Sequence, residues 1–350
     1  MKSPFAWLVV SAATLLAACG SSAPPDPASY FASPTPYADP TCNVVDGELT
    51  GQREVHLYQS GGVNVLSLTQ GLQRYYRRHS LTFFANAGPG NAGTSYALDT
   101  DEAALSAALT KAFPGVDLND DAALMADPVL YNQVLTFAAN FILRPMVDFA
   151  RAHPAGADVT NFVVVPDMER PGGQKLGDPG TSLAGLTISP PLLAEFAVTM
   201  PDEGKIWQGV QLPDGFTPMM FLGYKVITAL TAHAPVLSDL VVAHEFGHSG
   251  GLEHSMIQTN LMFPSELPGR DTCANSLDAT QLATMRTNLG LVAATTGALT
   301  VAPPRQLQPA APTAARPRFT PAHLRAMLAG DAGAMRFFLE PLIQTVRLDP

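Results

Sequence analysis

The segment His244-Glu245-Phe246-Gly247-His248-Ser249-Gly250-Gly251-Leu252-Glu253-His254 gathers groups that can bind a metal ion and move a proton. Residues four apart on an α-helix share a face and sit about 6 Å apart along its axis, so His244 and His248 can aim their imidazoles at one ion. His254 would face away if that helix continued. The chain must turn first, and Gly250-Gly251 permits the backbone angles of a sharp exit. Three protein ligands leave one position of a tetrahedral zinc open, which marks a catalytic rather than a closed structural site. Glu245, adjacent to a ligand, can take a proton from water during attack on a carbonyl and deliver it to a leaving amine. At this chain's own residue frequencies, the fixed positions His244, Glu245, His248, Gly251 and His254 would coincide by chance on the order of once in a hundred thousand. His56, His79, His153, His233 and His323 lack such spacing and read as ordinary structural or surface histidines.

Those fixed positions spell H-E-x-x-H-x-x-G-x-x-H, which resembles the signature of the metzincin zinc metallopeptidases. That family sets a methionine in a tight turn beneath the histidines. Asn260-Leu261-Met262-Phe263-Pro264 is similar to this Met-turn, with Met262 as its methionine. Gly247 and Ser255 lean toward the matrixin branch, while Pro264 stands where some other metzincins carry a metal-contacting tyrosine, so no tyrosine ligand is expected. The resemblance implies one catalytic Zn2+, a protein or peptide substrate, and Glu245 as general base in hydrolysis of a peptide bond. It also implies a substrate that pairs antiparallel with an exposed sheet-edge strand, for which 183–189 is the candidate. No cysteine-switch propeptide and no calcium loop is evident. Gly177-Asp178-Pro179-Gly180 sits before a strand, but Ca2+ stays unsupported. The alternative is a non-enzymatic cell-envelope binding lipoprotein that keeps a structural zinc site. A third reading keeps the same site for metal-dependent hydrolysis of a non-peptide envelope component.

The elements that must position these residues follow from hydrophobic period. Glu54-Val55-His56-Leu57-Tyr58 alternates as a half-buried strand does, 65–78 reads as a helix, and 81–85 has strand composition. This opening order suits a right-handed crossover in a sheet. Two helices are expected at 102–113 and 128–153, the second kinked or split at Pro145, inside a helical insertion spanning about 88–157. Strand character returns at 162–165, at 186–189 and somewhere in 206–226. The metal-bearing helix should run from 237 to 248 with Ser238 as its cap, and another helix is expected at 277–289. The fold class is α+β: a metzincin-like zincin fold with a mixed twisted sheet, an active-site helix, the insertion, and a small helical segment near the end.

The chain has 350 residues and is 47% hydrophobic, enough for one large core or two modest ones. Residues 1–18 read as an export signal with Lys2 at its start, followed by a lipid-attached Pro/Ser/Ala-rich tether at 19–41. Leu16-Ala17-Ala18-Cys19 resembles the bacterial lipobox, which implies lipidation at Cys19 and an exported lipoprotein anchored to a membrane of the cell envelope. The catalytic domain is placed at 42–295, a Pro/Ala-rich linker at 296–318, and two short amphipathic helices within 319–350. Cys42 and Cys273 form an even pair in a chain sent to an oxidising compartment, so a disulfide is favoured. With 20 Lys+Arg against 30 Asp+Glu, the acidic balance argues against nucleic acid as a partner. Oligomeric state is not set by any of these features.

Overall fold

The computed structural model describes residues 26–347 apart from 94–97, 99–100, 157, 169–180, 201–203, 234, 267–274 and 292–317. The elements run β1 (Gly51–Gln59), α1 (Leu66–Arg77), β2 (Leu81–Phe84), β3 (Gly90–Asn91), α2 (Glu102–Ala112), α3 (Asp121–Ala126), α4 (Pro128–Ala152) and β4 (Val159–Val165). They continue with β5 (Thr181–Ile188), α5 (Pro190–Thr199), α6 (Gly204–Gln208), β6 (Met219–Gly223), α7 (Tyr224–His233), α8 (Pro235–Ser249), β7 (Ser265–Glu266), α9 (Ala279–Asn288), α10 (Pro321–Leu328), α11 (Ala332–Leu339) and β8 (Ile343–Arg347).

A mixed sheet organises these elements in the order β2-β1-β4-β6-β5-β8-β7, with β3 beside β1. The strands from β2 to β6 are parallel, and β5 runs antiparallel to β6. Period-two alternation sends successive side chains to opposite faces. Phe162 and Val164 of β4, with Met220 and Leu222 of β6, join the core shared with α1, α8 and α9. Val163, Val165, Met219 and Phe221 join the second core, beneath α4, α5, α10 and α11. Helices therefore cover both faces and alternate with strands along the chain, so the expected α+β class gives way to α/β.

Several expectations hold in place and differ in extent. The helices expected between 88 and 157 are present as α2, α3 and α4, and α4 passes through Pro145 as one helix. Helix α8 starts at Pro235, so Ser238 lies buried within it rather than capping it. It is buried on all sides: Leu240, Val241, Val242, Ala243 and Phe246 are fully enclosed, and so are the polar His244, Glu245 and His248, as in a central helix.

Two expectations are overturned. The segment assigned to a tether folds onto the body from Pro27 onward. Tyr30 and Phe31 sit in the core, Thr69 donates to the Tyr30 carbonyl at 2.6 Å, and Arg74 donates to the Thr35 carbonyl at 3.0 Å. Two buried aromatics and these hydrogen bonds together bind the Pro-rich stretch down. The strand at 183–189, expected to be an exposed edge, is flanked on both sides, because β8 pairs with it opposite β6. The two short helices near the end are present as α10 and α11, but the strand after them was not anticipated. Signal segment 1–18, Cys19, Gly177-Asp178-Pro179-Gly180, Cys273 and most of the linker lie outside the described residues. Cys42 is buried and disulfide-bonded.

Candidate metal centre

Helix α8 delivers His244 and His248 from one face, and a tight exit brings back His254. The N–H of Leu252 donates to the Gly247 carbonyl at 3.1 Å and that of Gly251 to the His248 carbonyl at 3.0 Å. This paired closure needs a left-handed residue just past the helix, and Gly251 supplies it with φ +83°. The last turn is also held from β5's end, where Ser189 donates to the His248 carbonyl at 2.7 Å.

The imidazoles converge through their Nε2 atoms, at 3.0 Å between His244 and His248 and 3.2 Å between His248 and His254. Nδ1 of His244 donates to the Leu261 carbonyl at 2.9 Å, and Nδ1 of His248 to the Leu252 carbonyl at 2.6 Å. A carbonyl can only accept, so each of these Nδ1 atoms carries the hydrogen and each Nε2 is left as a lone-pair acceptor. Burial pushes His248 down to about 4, against the pull of its bond to Leu252, so its ring is neutral near pH 7. Two acceptors facing each other at 3.0 Å repel unless a cation lies between them. The donor set therefore fits a metal ion, and these three histidines are the one such group among the described residues. Neutral imidazole nitrogens suit zinc, which binds them at about 2.0–2.1 Å in a tetrahedral arrangement.

Glu245 is fully buried beside its ligand neighbours. Its Oε2 accepts from the Thr187 hydroxyl at 2.5 Å, while Oε1 has no hydrogen-bond partner among the described residues. Burial pushes this carboxyl up to about 8, with the Thr187 hydrogen bond pulling the other way. A divalent cation at the histidines would favour its ionised form. Gly185 of β5 leaves the room that Glu245 fills: a Cβ built there would fall 2.4 Å from Oε1.

Met262 lies buried beneath the helix, at the spot where Gly247 lacks a side chain; a Cβ on Gly247 would meet its sulfur at 2.5 Å. The turn is pinned by Asn260, whose side-chain oxygen accepts the Met262 N–H at 2.9 Å, and by the Ser255 N–H donating to the Met262 carbonyl at 2.8 Å. Asn260 is itself held by Gln281 of α9 at 2.8 Å. The Leu261 carbonyl that orients His244 belongs to this same turn.

Among the described side chains, His56, His79, His153 and His323 stay apart from this group. His79 pairs with Asp46, His56 with Glu54, His153 stacks on Phe149, and His323 caps its own helix at Thr320. Sequence reasoning missed Thr187, Gly185 and Ser189. The available signal was weak: a threonine and a serine alternating at the end of an otherwise apolar strand, polar atoms that burial obliges to find partners.

No helix among the described residues is long and apolar enough to cross a membrane. No protein-family model matches this chain, and no curated protein matches it in sequence. The group stands on its own geometry: three histidines able to hold one metal ion, with the buried carboxylate of Glu245 next to them.

Proposed function

We propose that this chain is a zinc-dependent endopeptidase of the metzincin type, with His244, His248 and His254 holding the metal and Glu245 as general base. The observation that carries the reading is the convergence of Nε2 acceptors beside a buried carboxylate with one oxygen committed and one unpartnered. A bound zinc ion supplies Lewis acidity, polarising a carbonyl and bringing the pKa of water toward 7. Glu245 moves the proton: its Oε1 takes it from the attacking water, and the same carboxyl hands it to the leaving amine. Thr187 keeps Oε2 engaged, so the carboxylate swings little between these events. Met262 and Asn260 hold the floor on which the His244 ring is oriented.

The same proposal covers delivery. Lipid attachment at Cys19, behind an export signal, would place the folded body at a membrane of the cell envelope, where a protein or peptide substrate would be met. The mass of the mature N-terminus tests this, and an unmodified residue there would reject it.

Activity is tested by incubating the zinc-loaded chain with a diverse peptide library, with and without a chelator, beside Glu245→Ala. The expected result is cleavage that the chelator abolishes and the substitution lowers by about 100- to 10,000-fold, the range for a positioned general base, with zinc content unchanged. Stoichiometric zinc with no cleavage in either form would favour a binding lipoprotein instead.

A further inference from the structure

The edge of β5 nearest Glu245 already carries a strand. β8 runs antiparallel to β5, with Thr181 opposite Arg347, Ser182 opposite Val346, Leu183 opposite Thr345, Gly185 opposite Gln344 and Leu186 opposite Ile343. On its other side β8 runs parallel to β7, pairing Ser265 with Thr345 and Glu266 with Val346. Both flanking elements belong to the metal centre. β5 carries Gly185 and Thr187, which touch Glu245, and β7 begins directly after the turn that contains Leu261 and Met262.

Residues 345 and 346 thus lie between β5 and β7. The register of β5 shifts between Leu183 and Gly185, and the residue across from Gly185 is Gln344. β8 therefore passes the very point of β5 that abuts the base. Without β8, one edge of β5 would present a row of unpaired N–H and C=O groups, and β7 would have no strand partner among the described residues. Such an edge adds any extended chain that reaches it.

β8 is held there by its five-pair ladder with β5 and by its attachment to the helices before it, since its ladder with β7 spans only two residue pairs. Leu342 and Ile343 are buried, and the helices before them dock on the insertion. Phe338 packs against Trp207, the Tyr131 hydroxyl donates to the Phe319 carbonyl at 3.1 Å, and Arg325 pairs with Asp121 at 2.9 Å.

We propose that residues 343–347 are a built-in competitor for the substrate groove, so that an extended polypeptide must displace β8 to reach the metal. The proposal rests on the peptidase reading for its consequence, though not for its geometry. A strand tethered this way competes at an effective concentration on the order of 1 mM. Against an intrinsic strand affinity on the order of 100 μM, within the usual KM range, it would reduce apparent affinity about tenfold. Its release would leave α10 and α11 docked.

The test uses the full zinc-loaded chain carrying Glu245→Ala, with and without Thr345→Pro and Val346→Pro, which remove backbone donors on both sides of β8. Binding of a fluorescein-labelled peptide copying residues 340–347 is read by anisotropy. The proline form should bind about tenfold tighter with unchanged zinc content and circular dichroism; equal affinity in a folded proline form would overturn the proposal. Hydrogen exchange on the unsubstituted chain gives an independent reading. Saturating peptide should strip protection from amides 343–347 while 321–339 keep theirs, and a chain that binds peptide with 343–347 still protected would also overturn it. Adding the proline pair to a chain with Glu245 intact separates the two claims. Tighter peptide binding without cleavage would sink the peptidase and leave the competitor standing, whereas measurable cleavage that is no faster at subsaturating peptide than in the unsubstituted chain would sink the competitor alone.

Discussion

The hydroxyl of Thr187 on β5 lies 2.5 Å from Oε2 of Glu245 on α8 and donates to it, tying the candidate base to that strand. The Glu245 backbone carbonyl is 3.1 Å from the same hydroxyl, so this one side chain reaches both the backbone and the carboxylate of Glu245.

Replacing Thr187 with Val keeps the shape and removes the donor. Turnover should fall about 10- to 100-fold, the usual loss for a partner that orients a catalytic group, while zinc content stays stoichiometric. Thr187→Ser, which restores the hydroxyl, should return most of the activity. Steady-state kinetics on both variants decide it, and a Val form as active as the parent would remove Thr187 from this role.

Gly185→Ala addresses the same carboxylate from the other direction. The added methyl would sit 2.4 Å from Oε1, so Glu245 must move. A displaced base should lower kcat by at least about tenfold with zinc retained. Unchanged kcat would mean that Glu245 has room the geometry does not show.

Gly251→Ala tests the helix exit. A Cβ at φ +83° costs about 1–2 kcal/mol and would also press on Asn288 at 2.5 Å and Pro191 at 2.9 Å. Gly62 has a matching φ of +82° with open space around it, which makes Gly62→Ala the control. Both should lower Tm, but only the Gly251 variant should lose zinc to a competing chelator at least about tenfold more readily. Equal chelator resistance would uncouple the exit from His254.

Asp46 and His79 give a pH dependence. Burial alone would raise the Asp46 carboxyl, but the His79 hydrogen bond at 2.8 Å and its charge, the Glu48 N–H and Arg78 hold it below its ordinary value. A carboxylate depressed in the folded state adds stability above its unfolded pKa of about 3.9, and that stability is lost as pH falls through the lower folded value. Asp46→Asn should therefore lower the Tm of the metal-free chain at about pH 7 and leave it nearly unchanged at about pH 2. Thermal melts across this range check it; a deficit that persists at the acid end would assign the effect to packing instead.

The legible parts of this protein are those encoded locally. His244, Glu245 and His248 share a helix, and helical spacing alone sets which way they face. Gly251 announces its own left-handed turn, and Asn260 to Pro264 form a short loop whose Asn260 side chain accepts the Met262 N–H. The strand at 54–58, the helix at 65–78 and the insertion helices were readable for the same reason, since each shows its period within a short window. Less was readable where apolar runs lack a period, as in 190–233, where α5, α6 and α7 were not anticipated. A segment buried on all sides shows no polar face to mark its phase.

By itself the sequence determined the three convergent histidines, the carboxylate next to them and the sharp return of the chain to His254, because bonds and neighbouring dihedral angles dictate them. Only the tertiary structure decided that Thr187 steadies Glu245, that Tyr30 and Phe31 pull a Pro-rich stretch onto the body, and that β8 lies between β5 and β7. Those outcomes join residues far apart along the chain. Strand pairing at that distance depends on which backbone edge is free when the core closes, and no local pattern of side chains records that.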